Sequence, residues 1–177
     1  MQPVLSVRDL KVEFHTRRGI LTAIDGVSFD IAKGEVLGVV GESGAGKSLT
    51  GAAIIGLLEA PGRIAGGQVL LDGQRIDDLP REKMRPLRGK KIGMIFQDPL
   101  TSLNPLYRIS QQLVETIRTH LPMDGRQARA RAIELMREVG IPGAENRIDS
   151  YPHQFSGGMR QRVVIALALA ADSACAP

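Results

Sequence analysis

Cysteine occurs once in this chain, at Cys175, and tryptophan does not occur at all. A lone cysteine excludes an internal disulfide and fits a reducing compartment. Aromatic residues make up only 3% of the sequence, so the core must be aliphatic, and the 43% hydrophobic content supplies it. Long apolar runs are missing too. The longest, residues 163–171, falls far short of the roughly 20 residues a membrane-spanning helix needs. The start, Met1-Gln2-Pro3-Val4, has no charged-then-apolar leader pattern. No internal repeat or low-complexity tract is present. The dipeptide Asp-Glu occurs nowhere, and no histidine follows His153. Acidic residues are outnumbered, giving a net charge of +4, which on its own would admit a polyanionic partner.

What is present begins with Gly41-Glu42-Ser43-Gly44-Ala45-Gly46-Lys47-Ser48. Two glycines separated by four residues and followed by Lys-Ser have phosphate-loop spacing. Residues 36–40 are a short apolar run that reads as a buried strand. Residues 49–58 read as a helix ending at Glu59-Ala60-Pro61-Gly62. Strand, glycine loop and helix are the context the motif requires. The glycines let successive N–H groups turn inward toward phosphate oxygens, aided by the positive end of the helix. Lys47 supplies a point charge to the β- and γ-phosphates, and the Ser48 hydroxyl is placed to ligate Mg²⁺. The expected ligand is a nucleoside triphosphate with Mg²⁺.

Far downstream, Phe155-Ser156-Gly157-Gly158-Met159-Arg160-Gln161-Arg162 opens a second apolar run. Ser156 is a good N-cap, and the N–H groups after it are orphan donors at a positive helix end. This is a second anion site in one chain. Two such sites meet one γ-phosphate if two subunits face each other head to tail. Here the chain resembles the ATP-binding cassette family, whose signature is Ser-Gly-Gly-x-x-Gln at this distance from the phosphate loop. The resemblance implies that Ser156, Gly157, Gly158 and Gln161 serve the nucleotide held by a partner's phosphate loop. It also implies a fold: α/β, a P-loop NTPase core with an antiparallel β-subdomain and a helical signature subdomain.

Other residues gain a reading from the same resemblance. Residues 92–96 read as a strand leading into Gln97-Asp98-Pro99, which looks like the family's glutamine loop. Gln97 would reach a magnesium ligand position, sense the γ-phosphate and face the membrane subunits. Phe14 sits where the family usually places an aromatic that stacks on adenine. The alternative for Phe14 is a core residue of a half-buried edge strand, since Val12-Glu13-Phe14 alternates. Glu42, the run Thr101-Ser102-Leu103-Asn104-Pro105 and Tyr151-Pro152-His153-Gln154-Phe155 are similar to the dipeptide, oligopeptide and nickel importer branch. The similarity spans essentially residues 4–172. It implies an ATP hydrolase coupled to transport, peripheral on the cytoplasmic face of a bacterial inner membrane. The implied partners are a second ATPase subunit, transmembrane permease subunits and, indirectly, a solute-binding protein.

The family continues past its signature helix into a strand with an Asp for Mg²⁺ and a Glu that polarises water. Neither that pair nor the switch histidine is found here, so the fold is expected to be incomplete at the C-terminus and the chain inactive in hydrolysis. Asp72 is a weak substitute, because Gly73 follows it and the position suits an antiparallel strand. Residues 172–177, including Cys175, form an aberrant tail in family terms. The absent acidic segment also makes the basic balance an overstatement, so no nucleic acid is expected. A soluble cassette acting on nucleic acid or ribosomes, or a non-functional fragment, are the alternatives.

Residues 1–97 are expected to hold the nucleotide core and antiparallel subdomain, with strands at 27–31 and 68–72, and residues 98–168 the helical subdomain. Ile109, Leu113, Ile117 and Leu121 recur every four residues until Pro122. Asp124 with Gln127 resembles a capping box for a helix through Val139, closed by Gly140-Ile141-Pro142. Arg81 to Lys91 holds six basic residues and one acid and reads as a solvated connector, with an anionic surface as the alternative.

Overall fold

The computed structural model describes residues 2–96, 98 and 102–171. Gln97, Thr101 and the tail with Cys175 lie outside the described residues. The chain divides into two compact units, Met1–Pro86 and Leu87–Pro177.

The first unit is built on four antiparallel strands in the order β2-β1-β3-β4. They are β1 (Leu5–Thr16), β2 (Gly19–Ile31), β3 (Gly62–Leu71) and β4 (Gln74–Arg75). Strand β1 is central, and its buried side chains are Leu5, Val7, Leu10 and Val12. That spacing slips by one residue between Val7 and Leu10, where strict alternation would expose Leu10. A bulge absorbs the slip. Asp9 takes φ 46°, and both ladders of β1 shift register there. The Asp9 N–H donates to Ser28 Oγ at 2.8 Å, and that hydroxyl donates back to Asp9 Oδ1 at 3.1 Å. Opposite the bulge, Gly67 has φ +83°, and a Cβ there would come within 2.4 Å of the Arg8 and Asp9 carbonyl oxygens. Only glycine fits.

Strands β3 and β4 are joined by Asp72-Gly73, with φ 50° and 77°. Two positive φ values make the tight hairpin turn that Asp-Gly favours. Asp72 therefore lies at the hairpin turn of the antiparallel sheet, one residue past the end of β3 at Leu71. Helix α1 (Lys47–Ile54) follows the glycine loop and is shorter than the span 49–58. Its end is set by Gly56, in the left-handed region at φ 67°. A four-residue helix, α2 (Arg81–Met84), follows Pro80 within the basic stretch.

Two expected strands are absent. Residues 36–40 and 93–96 take no place in a ladder, and Ile92 makes only an isolated bridge with Arg88. Apolar character alone does not make a strand, which exists through neighbours that satisfy its N–H and C=O groups. Among the described residues nothing pairs with either segment.

The second unit is helical, with α3 (Ile109–His120), α4 (Gly125–Glu138), α5 (Ala144–Arg147) and α6 (Gly157–Leu169). A 3-10 turn, Pro152–Gln154, precedes α6. Ile109, Leu113 and Ile117 pack against Ala128, Ala132, Leu135, Met136, Ile148, Phe155 and Val163 in one core. The alanines of α4 keep its axis close to its neighbours. Asp124 caps α4 as its spacing predicts: its carboxylate accepts from Arg126 and Gln127 N–H, and Gln127 Oε1 accepts from the Asp124 N–H. Gly140 closes the helix at φ 75°. The N–H groups of Ile109 and Ser110 donate to Ser150 and Ile148, binding the start of α3 to the segment before α6.

Candidate functional site

The glycine loop is shaped by two left-handed residues, Gly44 at φ 83° and Gly46 at φ 85°. Ala45 N–H donates to Glu42 O at 3.2 Å, closing a turn beneath Ser43 and Gly44. Gly46 then starts helix α1, and its carbonyl accepts from both the N–H and the hydroxyl of Thr50. A Cβ at Gly46 would lie 3.4 Å from Ile24 Cγ1 and 3.5 Å from the Ala23 carbonyl. Strand β2 is thus the wall that positions the loop, a role the sequence does not announce, because Ala23 and Ile24 look like ordinary strand residues. Gly41 is equally tight, since a Cβ there would meet that of Ala45 at 3.3 Å.

Lys47 bends back across this loop. Its Nζ donates to the carbonyls of Gly41 at 2.7 Å and Glu42 at 2.8 Å. An ammonium has three donors, so one is left to face solvent at the loop mouth. Lys47 and Ser48 are both exposed. The N–H groups of Gly46, Lys47 and Ser48 donate to no carbonyl among the described residues. Unspent amide donors, a helix N-terminus and a cation held only by neutral oxygens make a fitting cradle for a polyphosphate. The loop thus fits ATP, and the Ser48 hydroxyl fits one position of a Mg²⁺ shell, a hard cation that takes oxygen ligands. Among the described residues no cluster of His, Cys, Asp and Glu is arranged to hold a metal.

Phe14 is half-buried on β1, paired with Leu21 on one side and Gly62 on the other. Its ring lies over Gly62, where a Cβ would come within 2.8 Å of Phe14 Cε1. It shares the first unit with the glycine loop, so both its expected readings keep a structural footing.

The signature residues are in the second unit. Ser156 has extended backbone and caps α6, its hydroxyl accepting from Met159 N–H at 3.3 Å. Gly157 and Gly158 are exposed, with nothing within 4 Å of a Cβ at either. Gln161 is half-buried one turn into the helix. Phe155, only 2% exposed, roots the loop in the helical core. The structure therefore brings residues 41–48 together as a loop running into α1 and residues 156–161 together as the capped start of α6, each in its own unit.

The supports of the signature segment escape sequence reading. Asp149 takes two bonds from the Arg129 guanidinium, at 2.9 and 2.6 Å. That bidentate pair, with the Ser110 hydroxyl and the nearby Arg108 charge, outweighs partial desolvation and lowers the Asp149 pKa to about 2. The Arg108 guanidinium lies 5.6 Å over the Tyr151 ring, which stacks on His153 at 5.7 Å. These contacts fix residues 149–154, immediately before Ser156.

Residues 24–175 match the family described as ABC transporter. A dipeptide transport ATP-binding protein of Lactococcus lactis is 51% identical over 97% of this chain and 49% of its own length. An oligopeptide transport ATP-binding protein of Bacillus subtilis is 49% identical, over 96% of this chain and 48% of its own. The chain thus spans about half the length of the curated relatives it matches. Among solved structures, a dimeric ATP-binding cassette in a post-hydrolysis state, bound to ADP and Pi, superposes with a TM-score of 0.84. It is 28% identical, over 96% of this chain and 70% of that one. A Clostridium perfringens protein described as part of an ABC transporter complex superposes at 0.76 with 26% identity, over 98% of this chain and 63% of that one.

Proposed function

We propose that this chain, which belongs to the ABC transporter family, is the ATP-binding part of an importer for peptides or related solutes. The observation that carries the nucleotide reading is Lys47, held across the loop mouth by two neutral carbonyls with a donor to spare. Peptides are the inferred cargo because relatives about half identical to this chain are named for dipeptide and oligopeptide transport.

In this reading the loop of Gly41, Glu42, Ser43, Gly44, Ala45 and Gly46 wraps the phosphates, the unspent N–H groups of Gly46, Lys47 and Ser48 donate to them, and the Lys47 ammonium adds charge at their outer end. Ser48 and Gln97 are assigned to Mg²⁺, and the Phe14 ring to the base. Ser156, Gly157, Gly158 and Gln161 serve the nucleotide of a second ATPase subunit. The dimeric state of the solved cassette supports a second subunit, and the head-to-tail arrangement is the reading adopted for it. When bound, ATP would supply the polyanion, with residues 41–48 holding it and Ser156, Gly157, Gly158 and Gln161 of the facing subunit donating to it. Permease subunits complete the assembly, and through them a solute-binding protein is served. Among the described residues no helix is long and apolar enough to cross a membrane, so peripheral attachment to the cytoplasmic membrane face through those subunits is the reading adopted.

No Asp-Glu pair occurs in the 177 residues. Without a carboxylate to orient the attacking water, a role phosphoryl transfer depends on, this polypeptide is expected to bind ATP without turning it over. Co-expression with peptide-permease membrane subunits tests the assignment. The chain should be recovered with the membranes, and phosphate release should equal that of Lys47→Ala. Recovery with RNA instead of membranes would favour the nucleic-acid alternative, and turnover abolished by Lys47→Ala would show a substitute base.

A further inference from the structure

Two arginines of α6 spend their guanidinium groups on backbone carbonyls. Arg162 Nη1 donates to the Gly140 carbonyl at 2.7 Å, tying the helix to the end of α4. Arg160 Nε donates to the Phe155 carbonyl at 3.0 Å. The second arrangement runs against local electrostatics. Arg160 stands in the first turn and folds back toward the helix N-terminus, where the aligned peptide dipoles repel a cation. No carboxylate pairs with it among the described residues.

The same residue acts twice. Its N–H donates to the Ser156 carbonyl at 2.9 Å, so the carbonyls on both sides of the Ser156 Cα end on Arg160. Ser156 itself has a weak hold, its cap bond being long for an N–H···O contact at 3.3 Å. The two residues after it are glycines with open space around them, and as the first residues of α6 they have no side chain with which to fix their own orientation.

We infer that Arg160 is a positioning residue of the signature: holding the Phe155 carbonyl with its side chain and the Ser156 carbonyl with its N–H, it sets the orientation in which Ser156, Gly157 and Gly158 meet a partner's nucleotide. The inference rests on the head-to-tail reading proposed above. It explains why a cation is kept at a helix end that disfavours one. The donor is needed there, and its charge suits the anion that arrives.

The test compares wild type, Arg160→Met, Arg160→Lys and Ser156→Ala by sedimentation velocity in Mg-ATP, alongside ATP binding to the separate subunit and thermal unfolding. Arg160→Met should weaken ATP-dependent association about tenfold or more, the worth of one hydrogen bond from a charged donor. Its own ATP affinity and unfolding midpoint should stay at wild-type values. Arg160→Lys, which keeps a donor, should recover most of the association. Wild-type association in Arg160→Met beside a weakened Ser156→Ala would overturn the role of Arg160 and leave the head-to-tail reading standing. A fall in unfolding midpoint equal in weight to the lost association would overturn it too, making Arg160 a stability residue. Absence of ATP-dependent association in the wild type, or its indifference to Ser156→Ala, would overturn the reading and the inference together.

Discussion

Asp149 shows how a single residue can tune the ground beneath a motif. Its folded pKa of about 2 lies below the usual 3.8, chiefly through the bidentate Arg129 bond. A carboxylate with a depressed folded pKa stabilises fully above its unfolded pKa, and the contribution is lost as pH falls through the folded one. The expected window of pH dependence is therefore between about pH 4 and 2, and near neutrality the contribution of this pair is complete and does not vary with pH. Urea midpoints should fall across that window in wild type and fall less in Asp149→Asn. Identical acid profiles would mean the pair contributes nothing. Asp149 is 44% exposed in its side chain, so added salt should shrink the difference. Sequence alone could not have named this pair, since residues 129 and 149 sit on separate elements and only tertiary packing joins them. Lys47, Ser156 and the Asp124–Gln127 box were legible, because phosphate loops and helix caps are written in short, fixed offsets. Arg160 was not, because nothing in its spacing tells whether a guanidinium turns to solvent or to a carbonyl behind it.

At the scale of elements, β1 illustrates both success and loss. Its apolar residues predict a strand, while the one-residue slip between Val7 and Leu10 marks the bulge only once neighbouring strands are seen. Gly67→Ala should cost about 1–3 kcal/mol from the positive φ alone, and more from the collision with the Arg8 and Asp9 carbonyls. Thermal unfolding checks it; a neutral substitution would mean the bulge is pliable. Helix α4 offers a milder case. Asp124→Ala removes a side chain that accepts two N–H bonds and should cost about 1 kcal/mol. The strands expected at 36–40 and 92–96 failed for the opposite reason to β1. Their sequences are apolar enough, but a ladder needs a second strand, and a local window holds no information about who that will be.

For the whole molecule, residues 36–40 are the largest liability. Val36 and Val40 are each 95% exposed and Val39 60% exposed, beside backbone groups with no ladder partner among the described residues. Unpaired apolar backbone invites edge pairing between copies. The 177-residue polypeptide should therefore aggregate when concentrated well above the dilute solutions that serve for binding, sedimentation and unfolding, and Val39→Lys should raise its solubility by placing a charge on that edge. Light scattering that stays flat in the concentrated wild type would show that the segment is protected. Although residues 36–40 run directly into Gly41, the glycine loop is braced within its own unit by β2 and closed by Thr50. The central expectation is that this brace is enough to hold nucleotide. Equilibrium titration with a fluorescent ATP analogue in Mg²⁺ measures it most directly. Wild type should saturate, Lys47→Ala should bind at least about tenfold more weakly through loss of a charged phosphate contact, and Ser156→Ala should bind as wild type does in dilute monomer. No saturable binding, or equal binding by wild type and Lys47→Ala, would contradict it.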